Sequence, residues 1–572
     1  MRKSSVFFIS LVLIGGLYFT NAGFVSADFL NQTVIFNINS DYDYLGRSQV
    51  SATLRKISDK AYWYIGDDYW NNLSESERNF FLQRIDELAQ EFDSRIYPIE
   101  TNFWGTEPNP GIDNDPRTTI LITRLVDFAG GYFESTHLYR KSHAPDSNER
   151  EMFFLNSNAI LNERTKIFSA HEFQHLIAFY QKDVLKGASE EVWLNEARAE
   201  YAPRLLGYDD IFEISNIRRR IIAFQQSPSE PLGEWKNQQS DYGSITLFTY
   251  YLADTYGDRI LLDTLRSSKT GIESINEFLS LNGFKENFSD VFSNWTITNI
   301  LNDSAVDSKF AYKSVHLANF RISSTQSFSI SGSQSLVSIS SSVKDWQPVW
   351  YEFNTPINSG TGLNLKIEFS SDFGTKFRVP YIAYKINGQK EIGFVPISGS
   401  TSSPQVSGSN GTLFLKNFGS DFYKVVLIPA NHSKVSGFTD NDPTALFSLR
   451  VQSTAEFQEI TPTPTPEPSP AFSIQDLLKQ IALLQEQLNK LKEKAQPFPL
   501  TRNLFAGSRG DDVKWLQDFL VKQGVYQEAK TTGYFGSLTR AAAIRFQQKY
   551  GIFPQIGYVG VKTRAKIAEL AQ

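Results

Sequence analysis

Ile167, Phe168, Leu176, Ile177 and Phe179 recur at helical spacing, whereas residues 363–369 alternate apolar and polar side chains one by one. The first pattern predicts a helix with one face in a core, and the second a strand with one face buried. Residues 28–305 hold strand-like pieces early and strong helical patterns from Arg164 onwards, which predicts an α+β domain. Residues 310–455 are dense in Ser, Thr, Val, Ile and Phe, with turn signals such as Asn358-Ser359-Gly360, Asn387-Gly388 and Ser409-Asn410-Gly411. Several short strands at this spacing predict a β-sandwich, and no chemical motif stands out in it. A third pattern, Ile474, Leu477, Ile481, Leu484, Leu488 and Leu491, steps by three and four. This heptad seam predicts a helix over 473–495 that either self-associates as a short coiled coil or lies as a stalk against its own chain.

The segments between these blocks set the organisation. Within 456–472, Thr461-Pro462-Thr463-Pro464-Thr465-Pro466 and the prolines that follow denote a semi-stiff spacer, because alternating proline favours polyproline II. Arg2 and Lys3, an apolar run over 6–19 and the small residues Val25-Ser26-Ala27 read as an export signal over 1–27. The run is shorter than the ~20 residues that spanning a membrane requires. With 572 residues the chain is multidomain, and a net charge of −6 argues against a nucleic-acid partner. Cysteine is absent, which excludes thiol catalysis, disulfides and Cys-metal sites. Any metal must be held by carboxylates and a few of the six histidines.

His171-Glu172-Phe173-Gln174-His175 supplies that chemistry. Two imidazoles one helical turn apart can both reach a Zn²⁺ ion at about 2.0–2.1 Å, with Glu172 beside them as a base rather than a ligand. Ala178 and Gln181 stand where a longer three-histidine motif would need glycine and histidine, so a third ligand must come from elsewhere. Glu196 is the leading candidate: a helix beginning near Asn195 sets Glu196 and Glu200 four apart on one face. Glu196 can then ligate the metal while Glu200 accepts the free N–H of a ligating imidazole. Glu190 and Glu191 are the alternatives, although neither has a carboxylate four residues on. Asp113-Asn114-Asp115-Pro116 and Asp440-Asn441-Asp442-Pro443 read as Asx-turns before proline, not as calcium loops.

HExxH followed by Trp193-Leu194-Asn195-Glu196-Ala197, then Ala199-Glu200-Tyr201, resembles the gluzincins, zinc peptidases with a glutamate third ligand. More narrowly the chain resembles hyicolysin-type peptidases over roughly 110–300, including Thr119-Ile120-Leu121-Ile122-Thr123, Gly130-Gly131-Tyr132-Phe133 and the Tyr242-Gly243 segment. The resemblance implies a zincin-like fold and hydrolysis of protein or peptide substrates by zinc-activated water, with Glu172 as general base. Thermolysin-like enzymes stabilise the oxyanion with a His and a Tyr. The next histidine after His175 is His316, so a tyrosine is expected, Tyr242 first and Tyr201 second. Such enzymes lay the substrate along an exposed edge strand before the metal helix, and Glu151-Met152-Phe153-Phe154-Leu155 is the stretch that fits.

Residues 500–572 carry an internal echo: Gly533-Tyr534-Phe535-Gly536 with Thr539-Arg540-Ala541 is matched by Gly557-Tyr558-Val559-Gly560 with Thr563-Arg564-Ala565. The segment resembles the small three-helix peptidoglycan-binding domain of cell-wall enzymes. Eleven Lys/Arg against five Asp/Glu make it +6, while the rest of the chain is −12, and a basic face suits an anionic wall. Trp515, Tyr534 and Tyr558 are aromatic candidates for contact. The expectation is therefore a secreted, wall-associated zinc endopeptidase. Two other classes stay open: a hydrolase of peptidoglycan cross-links using the same site, and an inert wall-bound adhesin or scaffold. Whether residues 28–110 act as a propeptide is not decided by the sequence.

Overall fold

The computed structural model describes residues 27–356, 362–372, 374–398, 409–455 and most of 500–571, leaving out 501, 503, 506–507, 527–530 and 553–556. The expected export signal, the proline spacer and the heptad helix lie outside the described residues. Contacts divide the chain into two compact units, Met1–Phe457 and Gln458–Gln572. Among the described residues no helix is long and apolar enough to cross a membrane.

The first unit begins with a six-stranded sheet of β1 (Thr33–Asn37), β2 (Gln49–Ile57), β3 (Ala61–Gly66), β4 (Thr118–Thr123), β5 (Gly131–Phe133) and β6 (Met152–Asn156), in the order β1-β2-β3-β4-β6-β5. Strands β3, β4 and β6 run parallel and their residues are almost all buried, as expected for strands covered on both faces. Period two divides them between two cores. Trp63, Ile65, Ile120, Ile122, Phe153 and Leu155 meet the helices. Tyr62, Tyr64, Leu121, Met152 and Phe154 pack with Phe36, Leu54 and Leu125 on the other face.

Among the described residues of this unit, ten α-helices follow the strands or join them: α1 (Asp67–Asn71), α2 (Glu75–Glu91), α3 (Tyr97–Trp104), α4 (Thr165–Ala178), α5 (Val192–Leu205), α6 (Asn216–Gln226), α7 (Gln239–Tyr256), α8 (Arg259–Arg266), α9 (Gly271–Leu281) and α10 (Phe288–Leu301). Helices α1–α3 interrupt the stretch expected to be strand-like. Helix α2 is started by a capping box between Ser74 and Glu77, the reciprocal pairing that satisfies two orphan N–H groups. Residues 28–110 thus supply β1–β3 and α1–α3, with Trp63, Phe92 and Trp104 wholly buried.

The sheet corrects one expectation. β6, which includes Met152, Phe153, Phe154 and Leu155, is not an edge strand. The Gly130-Gly131-Tyr132-Phe133 segment folds back against it, pairing Gly131 with Leu155 and Phe133 with Phe153 in antiparallel register. β5 is therefore the edge.

The strand-rich region is a nearly closed ten-stranded sheet of β7 (Gln326–Ser329), β8 (Leu336–Val343), β9 (Tyr351–Asn354), β10 (Leu363–Ser371), β12 (Pro380–Lys385), β13 (Lys390–Phe394), β14 (Ile397–Ser398), β15 (Asn410–Phe418), β16 (Phe422–Leu427) and β18 (Ala445–Thr454), with β11 (Phe377–Arg378) and β17 (Ala430–Asn431) as a separate pair. One layer runs β14-β15-β10-β18-β8 and the other β13-β12-β16-β9-β7, joined through the pair Phe418 and Phe422. Leu365, Ile367, Phe369, Val425, Leu427 and Leu449 fill the space between the layers.

The expected border near 305–310 is not a border in packing. Phe310, Tyr312, Leu317, Phe320 and Ile322 belong to the helical core, as do Trp346, Trp350, Ile382 and Val426 from the strand-rich region. Trp350 Nε1 donates to the Thr296 carbonyl at 3.1 Å, and Trp346 stacks edge-on against Phe288 and Phe292. β12 and β16, in the middle of their layer, therefore contribute side chains to both cores.

In the second unit, helices Asp511–Lys522, Ser537–Lys549 and Val561–Ala571 surround Leu516, Leu520, Phe535, Phe546 and Ile567. The sequence echo has a matching hydrogen-bond pattern. Gln517 Nε2 donates to the Tyr534 carbonyl and Thr539 Oγ1, and Gln547 Nε2 donates to the Tyr558 carbonyl and Thr563 Oγ1. Tyr534 and Tyr558 are both exposed, while Trp515 is half-buried against Phe519.

Candidate metal centre

Helices α4 and α5 pack side by side and bring three donors together. His171 Nε2 and His175 Nε2 lie 3.1 Å apart; Glu196 Oε2 is 3.3 Å from the first and Glu196 Oε1 3.6 Å from the second. Tetrahedral ligands at ~2.0–2.1 Å from zinc lie roughly 3.3 Å from one another, so the spacing fits such an ion. Glu196 Oε2 is also buried with no hydrogen-bond partner, an anionic oxygen that a cation among the three donors would satisfy. Burial pushes the Glu196 carboxyl up, but the adjacent His175 and His171 outweigh it and hold Glu196 well below the usual carboxylate range. Helix α5 starts at Val192, three residues before the expected start, and keeps Glu196 and Glu200 on one face.

The ring nitrogens facing away from this cluster have partners of their own. Glu200 Oε1 is 3.5 Å from His171 Nδ1, and Asn195 Nδ2 is 3.3 Å from His175 Nδ1. Glu200 is in turn gripped from α6 and α7. Arg220 donates to both of its oxygens at 2.7 Å, Asn216 Nδ2 at 2.7 Å and Thr246 Oγ1 at 3.1 Å. Burial raises the Glu200 carboxyl, and Arg220 more than reverses that. The crossing of α6 and α7 is close because Gly243 has no side chain: a Cβ there would sit 2.8 Å from Phe224 N and 3.1 Å from the Arg220 carbonyl. That approach sets the Arg220 guanidinium 4.4 Å above the Tyr242 ring.

Glu172 does not join the ligand cluster. Burial pushes its carboxyl up to about 8, against the pull of His175 and with the help of Glu196 and Glu200. It lies beside β5, where a Cβ on Gly131 would come within 2.9 Å of Glu172 Cγ and 2.6 Å of the Phe154 carbonyl oxygen. The glycine is required by this close approach of strand and helix.

An open cleft of about 450 Å³ exposes these groups, lined by His171, Glu172, His175 and Glu196 together with Tyr42, Gly131, Arg219, Asn237 and Tyr242. Tyr242 donates to Asn237 Oδ1 at 2.9 Å. Burial, then the Glu196 and Glu200 charges, push its hydroxyl far up, so it keeps its proton. Tyr201, the second tyrosine considered, is buried in the core beside Tyr250 and does not line the cleft. Glu190 is bound by Arg198 at 2.8 Å and Lys182 at 3.4 Å, and Glu191 accepts from Gly437 N; neither faces the histidines. Asp113 and Asp115 cap their own turn, as expected for the first acidic tetrapeptide, whereas in the second Asp442 accepts from Thr439 N and Lys434 Nζ instead.

Sequence reasoning missed Tyr42, Arg219, Arg220 and Asn237. Tyr42 stacks on Tyr132 of β5 at 4.8 Å, and burial, then Glu172 and Glu196, raise its phenol. Nothing in the local sequence distinguishes it, since its position follows from the pairing of the amino-terminal strands with the sheet.

Residues 509–567 match the family described as "Putative peptidoglycan binding domain". The C-terminal module is a peptidoglycan-binding domain. Its three helices and paired Gln517 and Gln547 networks are the physical form of the repeat in the sequence. No curated protein matches the chain. Among solved structures it is similar to the pre-peptidase C-terminal domain of a collagenase from Bacillus anthracis, at 11% identity and TM-score 0.14, covering 22% of this chain and 95% of that one. It is also similar to the Yersinia pseudotuberculosis-derived mitogen, at 9% identity and TM-score 0.14, over 24% of this chain and 99% of the other. A third is a family GH115 4-O-methyl-α-glucuronidase, at 10% identity and TM-score 0.13, over 60% and 53% of the two chains. Scores this low say nothing about the fold or activity of this chain.

Proposed function

We propose that the chain is a zinc-dependent endopeptidase of gluzincin type, held at the cell wall by its peptidoglycan-binding domain. The observation that carries this reading is the convergence of His171, His175 and Glu196 at tetrahedral ligand spacing, beside Glu172 in an open cleft. A zinc ion, when bound by these three residues, supplies a Lewis acid that acidifies water and polarises a peptide carbonyl. Glu172, which a cation bound beside it would keep ionised, takes a proton from the attacking water at a carboxylate oxygen and passes it to the departing amine. The free edge of β5 offers backbone groups to an extended peptide, which brings the scissile bond past Glu172. The Tyr242 hydroxyl keeps its proton and, by turning it from Asn237 Oδ1, becomes the donor to the developing oxyanion.

The deciding experiment measures zinc content and casein cleavage on the purified full chain, before and after chelation and after zinc is restored. One zinc per chain, with cleavage lost on chelation and regained with zinc, is the expected result. The peptidoglycan-binding domain favours a second reading, in which the same site cuts peptide cross-links of the wall. Zinc without casein cleavage, but with release of peptides from purified peptidoglycan, would select it. A chain that holds no zinc would be left as a wall-bound scaffold.

Gly131→Ala tests the strand-to-helix approach. The added methyl displaces Glu172, and misplacement of a reacting group by about 1 Å costs about 10²-fold in rate. Steady-state assays should show kcat/KM down by that order with zinc content unchanged.

A further inference from the structure

Helix α6 offers the cleft two arginines with opposite circumstances. Arg220 is neutralised by Glu200 through two hydrogen bonds of 2.7 Å. Arg219 also lines the cleft, half-buried, yet it has no hydrogen bond or ion pair among the described residues. Of the cleft's carboxylates only Glu200 acts appreciably on it, and Glu200 is already occupied. Burial, then the like charges of Arg220 and Arg164, push its guanidinium down to about 10, the mark of a cation without a counter-charge. Arginine stays charged even so, and a guanidinium presents a planar fork that matches a carboxylate with two parallel hydrogen bonds. A carboxylate entering the cleft would meet an available donor and relieve a repulsive cluster at once.

We propose that Arg219 is a specificity-determining residue that selects substrates carrying a carboxylate close to the scissile bond. The inference rests on the peptidase reading. The carboxylate comes from an acidic side chain or from the end of the substrate chain, and the two sources are separable.

The test uses the full-length zinc-loaded protein and internally quenched peptides that differ at single positions around one scissile bond. Each position carries Glu, Gln or Lys in turn, and each peptide is made with a free and an amidated C-terminus. Wild type is expected to favour one carboxylate-bearing peptide about tenfold or more in kcat/KM. In Arg219→Gln that preference disappears, and in Arg219→Glu it turns towards the Lys peptide. A preference that vanishes on amidation identifies the terminal carboxylate, and one that survives identifies the side chain. Equal cleavage of all peptides by wild type, or a preference that survives Arg219→Gln, would overturn the proposal.

A parallel binding arm keeps the two hypotheses apart. Fluorescence anisotropy of the same peptides on the Glu172→Gln protein, with and without Arg219→Gln, reads recognition without turnover. Carboxylate-dependent binding lost with Arg219 sustains the proposal even if no peptide is cut, whereas binding indifferent to Arg219 refutes it.

Discussion

Glu172→Gln is expected to lower casein cleavage by about 10²–10⁴-fold while leaving the bound zinc in place. Glutamine matches glutamate in size and keeps one acceptor oxygen, so the buried pocket between α4 and β5 stays filled. What it loses is the ability to accept a proton and return it. Because Glu172 lies outside the three-donor cluster, metal content should match wild type, and the thermal midpoint at neutral pH should be no lower, since glutamine removes a carboxyl whose ionised form burial disfavours. The measurement is kcat beside zinc stoichiometry on the same preparation. Cleavage within a few-fold of wild type would assign the proton transfer to another group and remove the mechanism proposed above.

Arg220→Met is expected to destabilise the first unit by about 3–5 kcal/mol, because it strands Glu200 as a buried charge. Asn216 and Thr246 still donate to Glu200, but neither brings a positive charge. The effect should reach the metal as well. Glu200 orients His171 from 3.5 Å, and loss of such an outer partner typically costs about 10–100-fold in metal affinity. Denaturant unfolding and competitive zinc titration measure the two parts separately. Combining Arg220→Met with Glu200→Gln removes the stranded charge and should recover most of the stability but not the zinc affinity. A single variant that unfolds at the wild-type midpoint would show that water or a rearranged neighbour already compensates Glu200.

The part of the site readable from sequence is the part written in helical spacing. His171 and His175 stand one turn apart, as do Glu196 and Glu200, so each helix announces its own face. The donors that hold Glu200 in place lie beyond that range. Asn216 and Arg220 come from the next helix, and nothing local separates an arginine that pairs inward from one left without a partner. β5 failed for a different reason: three residues are too few to show a period, and β6 beside it, almost wholly apolar, drew the assignment instead. Helix α2 is announced by Ser74 and Glu77, a capping box that a reading of strand-like pieces ahead of Arg164 passes over. The missing border near residue 305 had no local signal. Trp346 and Trp350 fit a strand-rich segment, and only packing shows them facing the helices.

That shared core bears on how the protein could have been assembled. Trp346 lies over Phe288 and Phe292, Arg378 pairs with Asp290 at 2.7 Å, and Lys390 pairs with Asp303 at 2.7 Å. A gene splice between the helices and the sheet would have had to match all of these surfaces at once, so the two parts are inherited as a bonded pair. The peptidoglycan-binding module instead has a core of its own, built around Leu516, Leu520 and Phe546, so it can be inherited as a cassette.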